Sequence, residues 1–283
     1  MRERALVFGP ANLVGILTQP DPDRVVEGAP SFVILNSGIL HRVGASRIYV
    51  QLARTLAEEG FTTLRFDFSG VGDSDVRRDV IPVEERFVTE TREAMDYLAS
   101  ATGAEQFVLG GLCSGADGAF FTSMDDDRVV GLWQIDAFCY RTPGYYRRRY
   151  LPKLVDPKAW AHSIRVRVQP DEFEDRDDEQ FVKPEYRRIF PPKKAVGDGL
   201  AALLARNVGL YFLFTGGQED HYNYAGQHAD AFPELELERN ARIRYVEECT
   251  HMLTELEHQR IFLDDVREWA RQLGTRRMET ALT

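Results

Sequence analysis

The chain has 283 residues, 43% hydrophobic and 28% charged, enough to bury the core of one α/β domain with room for an insertion. A formal net charge of −10 without a long run of Lys and Arg argues against a nucleic-acid surface. No stretch of roughly 18 or more apolar residues offers a transmembrane helix.

The opening "MRERALVFGPANLVGILTQP" begins with charges, and Gly, Pro and Asn break its apolar part, so it does not read as a secretory signal. Within it, "ALVFG" and "LVGILTQP" predict an antiparallel hairpin. "PSFVILNSG" (30–38) is a continuous apolar run ending in turn residues, the pattern of a strand buried on both faces. "SRIYVQLARTLAEEG" (46–60) places Ile48, Leu52 and Leu56 at helical spacing, with Ser46 as the expected N-cap and Gly60 as the stop. "FTTLRFDFSG" (61–70) is the next strand, "VEERFVTETREAMDYLASATG" (83–103) an amphipathic helix, and "QFVLGGL" a further strand. "VVGLWQIDAF" (129–138), "VGLYFLFTGG" (208–217) and "IRYVEECTH" (243–251) read as strands, and "ELEHQRIFLDDVREWARQLG" closes the chain region as a helix. Alternation of strands with helices predicts an α/β fold. Its central sheet is mostly parallel, with helices on both faces and reactive loops at the carboxyl ends of the strands.

Residues 139–207 interrupt that alternation with Tyr, Arg, Pro and acidic residues. They are expected to form a cap or lid insertion on a core of residues 1–138 and 208–283. The acidic stretch "PDEFEDRDDEQ" reads as its most linker-like part. Tyr140, Tyr145, Tyr146, Tyr150 and Trp160 supply aromatic surface there, and Arg147, Arg148 and Arg149 positive charge. This composition suits either a solvated charged face or a subsite for an acidic or phosphopantetheine-bearing donor.

The stretch "FVLGGLCSGADGAFF" (107–121) carries the chemistry. Gly111-Leu-Cys-Ser-Gly115 has the spacing of a nucleophile elbow, with Cys113 at the turn between a buried strand and a helix beginning near Ser114. The positive end of a helix favours a thiolate over a thiol, and the Ser114 N–H would face the same space as half of an oxyanion hole. The bland alternative is a tight packing turn filled by a small residue. Two partners follow predicted strands: Gly217-Gln-Glu-Asp220, and His251 in "VEECTHMLTE". An imidazole beside Cys113 would take its proton, and a carboxylate on the other ring nitrogen would set the tautomer. Asp220 is preferred over Glu219 for that carboxylate. In "ILNSGILHRVG" the turn Ser37-Gly38-Ile39 offers the Ile39 N–H as the second oxyanion donor. His41 and Arg42 either line the pocket or cap the following loop.

With these residues in place, the chain resembles the α/β-hydrolase superfamily over nearly its whole length. "RFDFSGVGDSD" (65–75) is similar to that superfamily's Asp-x-x-Gly-x-Gly-x-Ser loop. "LNSGILHRVGASRIYVQLARTLAEEGFTTLRFDFSGVGDSD" together with "GLCSGA" is similar to a bacterial subgroup that includes the hydrolases accompanying exosortase systems. The cysteine at the elbow also resembles dienelactone hydrolase, in that feature alone. The resemblance implies an acyl-enzyme mechanism carried by Cys113, His251 and Asp220, with Ile39 and Ser114 as oxyanion donors. Cysteine in place of serine, and Ser-Gly-Ile in place of a His-Gly turn, are this chain's departures.

A thiol nucleophile points to activated acyl groups, because exchange of one thioester for another is close to isoenergetic. The expected chemistry is therefore that of a thioesterase or acyltransferase on a small-molecule or carrier-bound acyl substrate, with His41, Tyr140 and Tyr146 as candidate substrate contacts. A cysteine-dependent ester or lactone hydrolase, and a non-catalytic acyl-binding protein on the same scaffold, are the rival readings. No motif such as His-Glu-x-x-His calls for a metal, and no cofactor is expected. Cys113, Cys139 and Cys249 cannot all pair within one chain and show no Cys-x-x-Cys spacing, so a reduced, cytoplasmic protein is the expectation.

Overall fold

Residues 31–35, SFVIL, are apolar throughout, and the strand they form, β3 (Ser31–Leu35), is buried along its whole length. A computed structural model of the chain describes residues 1–155, 188 and 190–281. The predicted opening hairpin is present as β1 (Arg2–Phe8) and β2 (Leu13–Gln19), paired antiparallel from Arg2↔Gln19 to Phe8↔Leu13. The remaining strands are β4 (Thr63–Phe66), β5 (Phe107–Leu112), β6 (Val129–Ile135), β7 (Gly209–Thr215) and β8 (Ala241–Val246). Among the described residues they form one sheet in the order β1-β2-β4-β3-β5-β6-β7-β8, antiparallel at β1-β2 and β2-β4 and parallel elsewhere.

Parallel neighbours need crossovers, and helices supply them. They are α1 (Ile48–Glu58), α2 (Val83–Thr102), α3 (Ser114–Asp125), α4 (Pro143–Val155), α5 (Lys193–Ala205) and α6 (Leu256–Ala281). α1 turns Ile48, Tyr49, Leu52, Ala53 and Leu56 onto one face of the sheet, where they meet Trp133, Tyr211 and α6 residues Phe262 and Val266. The other face packs Leu35, Leu109, Phe212 and Phe214 against Met95 and Leu98 of α2, Phe120 of α3 and Leu200 of α5. Each fully buried aliphatic or aromatic side chain contributes about 1.5–3 kcal/mol. These two layers therefore hold the sheet between them and leave its carboxyl edge to the loops that carry the site.

Two boundaries differ from the sequence reading. Ser46 does not cap α1: it lies at φ 48° in a short turn, Ala45–Arg47, and its hydroxyl donates to the Met252 carbonyl at 3.0 Å. The first helix thus starts at Ile48, after Arg47 in a left-handed conformation. Second, α5 buries Val196, Leu200 and Leu203 in the sheet's own core, so the last part of the expected 139–207 insertion is the crossover helix between β6 and β7. Parallel neighbours such as β6 and β7 need a long crossover, and a helix is its usual form. The stretch "PDEFEDRDDEQ" and Trp160 lie outside the described residues. Among the described residues, no helix is long and apolar enough to cross a membrane.

Candidate active site

β5 ends at Leu112 and α3 begins at Ser114, which leaves Cys113 alone at the turn with φ 54° and ψ −118°. A non-glycine residue held at positive φ is strained and persists only where its surroundings over-determine it. Here the surroundings are close. A Cβ on Gly111 would stand 2.7 Å from the Leu35 carbonyl oxygen, and one on Gly115 would stand 2.6 Å from the same atom. Only glycine at both positions lets the elbow close against β3. From below, the buried Tyr49 hydroxyl accepts the Leu112 N–H at 2.8 Å, and the Cys113 N–H donates to the Ile135 carbonyl at 3.0 Å.

His251 sits in the loop after β8, and its Nδ1 is 2.6 Å from Asp136 Oδ2. That pairing leaves Nε2 as the ring nitrogen available to the Cys113 thiol, which is close enough to act on the His251 titration. Hydrogen bonds to Asp136 and to Cys113 push His251 up to about 9 from its ordinary 6.5, against the opposing effect of burial. Gln218 Nε2 adds a second contact to Nδ1 at 3.3 Å. The turn that carries Gln218 packs directly on the His251 backbone: a Cβ at Gly217 would fall 2.5 Å from the His251 nitrogen.

The carboxylate on His251 is therefore Asp136, and the expectation for Asp220 is corrected. Asp136 follows β6 at φ 51°, is 1% exposed, and accepts 2.8 Å hydrogen bonds from both the amide and the hydroxyl of Thr215. Asp220 instead points to solvent, where Oδ1 accepts from Arg149 at 2.7 Å, and its carbonyl accepts from Arg141 and Tyr145. Glu219 is exposed as well. A signal for Asp136 did exist in the sequence. A carboxylate among "VVGLWQIDAF" is too costly to bury unless it is paired.

The turn Ser37-Gly38-Ile39 closes through a Leu40 N–H to Ser37 carbonyl bond of 2.8 Å, with Gly38 at φ 51°. The Gly38 N–H donates to Ser114 Oγ at 2.8 Å, which fastens this turn to the elbow. The Ser114 hydroxyl, buried and so engaged, is not a rival nucleophile beside Cys113. The Ile39 side chain is 93% exposed. Arg42 resolves as a loop residue: its guanidinium pairs with Asp67 and Asp73, and Asp67 also accepts the Arg42 and Asp73 amides.

The expected substrate contacts are not gathered at the thiol. The Tyr140 hydroxyl donates to the Pro191 carbonyl at 2.7 Å, and its ring packs on Phe190 and Phe232. Tyr146 stacks on Tyr150 at the surface, and His41 is exposed. Among the described residues, no hydrogen bond or ring contact joins these three to Cys113 or His251. Arg148 lies over the Tyr224 ring, 4.4 Å from its centre. Sequence reasoning missed Arg188 as well. It bonds to Asp117 in α3 and reaches the carbonyls of Asp136 and Cys113. Among the described residues, no group of three or more His, Cys, Asp or Glu side chains is placed to hold a metal ion.

The family described as alpha/beta hydrolase fold matches residues 32–145, the span from β3 through the elbow to the start of α4. Among solved structures, a Pyrococcus furiosus esterase superposes with a TM-score of 0.57 at 14% identity, covering 96% of this chain and 91% of its own. A proline iminopeptidase from Mycobacterium smegmatis gives 0.54 at 17% identity, covering 97% and 99%. A Xanthomonas campestris serine hydrolase without a lid gives 0.51 at 16% identity, covering 98% and 95%. No curated protein matches the chain in sequence. The strand order, the strained turn between β5 and α3 and the family match agree: the chain has the α/β-hydrolase fold.

Proposed function

We propose that this protein is an acyl-group hydrolase or transferase that works through a covalent Cys113 acyl-enzyme, with His251 as acid and base and Asp136 as the carboxylate that orients it. The observation that carries this reading is the contact of a strained elbow cysteine with a histidine whose other nitrogen rests on a buried carboxylate. Because His251 holds its proton up to about pH 9, the reaction starts from an imidazolium beside the sulfur. Cys113 attacks the acyl carbonyl as the thiolate, and a C–S bond forms. The bond to the leaving group then breaks as His251 passes its proton to that group. The neutral imidazole next takes a proton from water or another acceptor. That acceptor attacks the thioester and restores the starting pair. The N–H groups of Ile39 and Ser114 are assigned to the oxyanion. Ser114 opens α3, so its N–H has no acceptor within the helix, and the Gly38–Ser114 bond keeps the two amides on neighbouring, fastened segments.

Thioesters are the expected donors, since exchange at sulfur conserves the energy of the acyl group and leaves an intermediate able to pass it on. Intact-protein mass spectrometry of wild type, Cys113→Ala and His251→Ala mixed with matched short acyl thioesters and oxyesters tests this. Expected is a mass gain that needs Cys113 and persists longest without His251. Oxyesters turning over much faster than thioesters would move the assignment to ester or lactone hydrolysis. No labelling of wild type by any panel member would leave ligand binding as the account.

A further inference from the structure

Two residues of the site, Cys113 and Asp136, are held at positive φ, 54° and 51°. Each such strain costs about 1–3 kcal/mol and needs an outside restraint. One guanidinium reaches both backbones. Arg188 Nη1 donates to the Asp136 carbonyl at 2.9 Å, and Nη2 reaches the Cys113 carbonyl at 3.4 Å. The same fork takes both oxygens of Asp117, one turn into α3, with Nε to Oδ2 at 2.7 Å and Nη2 to Oδ1. Two aromatic rings, 5.6 Å apart and edge to face with each other, pack on one side of it, Phe138 at 5.2 Å and Phe190 at 4.9 Å from its central carbon. Phe138 stands two residues beyond Asp136. The fork is therefore packed on one side by two rings and fixed in direction by a bidentate carboxylate, and it also reaches the two strained carbonyls.

We propose that Arg188 is a positioning residue: lying between α4 and α5, it clamps the backbones of Cys113 and Asp136 together and so sets the alignment of thiol, imidazole and carboxylate. This rests on the reading of Cys113 as the nucleophile. The Cys113 carbonyl also accepts the Asp117 N–H at 3.1 Å, the first bond of α3; what Arg188 adds is a direct tie from that carbonyl to the Asp136 carbonyl, which neither the sheet nor the elbow glycines make. A lysine would bring the charge without the planar fork, and could reach only some of these acceptors. The segment between β6 and β7 thus contributes to the reactivity of the site itself, independently of any choice of substrate.

The test is the rate of Cys113 alkylation by iodoacetamide across pH 5–10, read on the Cys113 peptide, so that no substrate is needed. Folding of each variant is followed by circular dichroism. Arg188→Lys and Arg188→Met are both expected to slow alkylation at pH 7 about tenfold or more and to move its pH midpoint upward. The double variant Arg188→Met/Asp117→Asn, which removes the stranded carboxylate, is expected to stay slow. Wild-type rates in Arg188→Lys would show that charge alone suffices. Recovery in the double variant would show that Arg188 only neutralises Asp117. Either result overturns the clamp, as does loss of folding in both single variants, which would make Arg188 a general structural residue. If wild-type Cys113 reacts no faster than a cysteine in the unfolded 107–121 peptide, the nucleophile assignment itself fails, a different outcome from failure of the clamp.

Discussion

Asp136 accepts hydrogen bonds from the Thr215 amide, the Thr215 hydroxyl and His251 while almost no water reaches it. A carboxylate so placed orients one imidazole tautomer and stabilises its charged form. Asp136→Asn is therefore expected to slow acylation of Cys113 by roughly two to four orders of magnitude, the range set by the corresponding change in serine-protease triads. It is also expected to bring the His251 titration down from about 9 toward 6.5. Asp220→Asn removes only an exposed, solvent-screened ion pair with Arg149, and acylation is expected to stay within twofold of wild type. Stopped-flow acylation and an NMR titration of the His251 ring separate the two; a slow Asp220→Asn with a normal Asp136→Asn would reverse the assignment. Cys113 and His251 were legible as candidates because each sits at a turn directly after a strand. Asp136 was passed over, although a carboxylate at the end of so apolar a run was itself a signal. Asp220 offered the more visible pattern and a different role.

The strand–turn–helix at residues 107–125 depends on a backbone approach that tolerates no Cβ. Gly115→Ala places a carbon 2.6 Å from the Leu35 carbonyl oxygen, which belongs to a buried central strand and cannot swing away. Destabilisation of about 2 kcal/mol is expected, seen as a lowered urea midpoint, together with slower Cys113 alkylation as the elbow opens. An unchanged midpoint would mean that β3 yields at this point. The strands and long helices were readable from periodicity: continuous apolar runs for β3, β5 and β7, and 3.6-residue spacing for α1 and α2. Ser46 misled because it has the right residue type one residue before the actual cap position, Arg47. Its hydroxyl finds the Met252 carbonyl, a partner more than 200 positions away in sequence. The helix α5 was hidden for another reason. Its Gly, Asp and Lys residues weaken the amphipathic signal, and its packing partners, Phe120 and Met124 at Gly199, come from α3.

Two histidines with opposite environments shape the stability of the entire fold. His228 is fully buried among Phe212, Phe214 and Phe232, has no hydrogen-bond partner for either ring nitrogen among the described residues, and is pushed down to about 3 by desolvation. Between pH 3 and 6.5 the unfolded chain binds a proton there that the native state refuses, so stability rises with pH across that window. His251 is raised to about 9, so its contribution is complete below 6.5 and is lost as pH rises toward 9. A stability maximum near pH 6.5 is expected from the pair. Urea midpoints against pH should show His228→Phe flattening the acid limb and raising stability at pH 7 by about 1 kcal/mol, since a buried unpartnered polar group is removed. His251→Gln should flatten the alkaline limb; slopes unmoved by either substitution would refute the linkage. By itself the sequence determined the α/β alternation, the glycine-flanked elbow and the placing of Cys113 and His251 directly after strands, because these follow from periodicity and from local backbone sterics. Only the tertiary structure decided that Asp136 is the carboxylate on His251, that Asp220 serves a surface ion pair and that Arg188 reaches the elbow. Which polar group meets which depends on where parallel strands end relative to one another, and that register is set by packing between segments far apart in the chain.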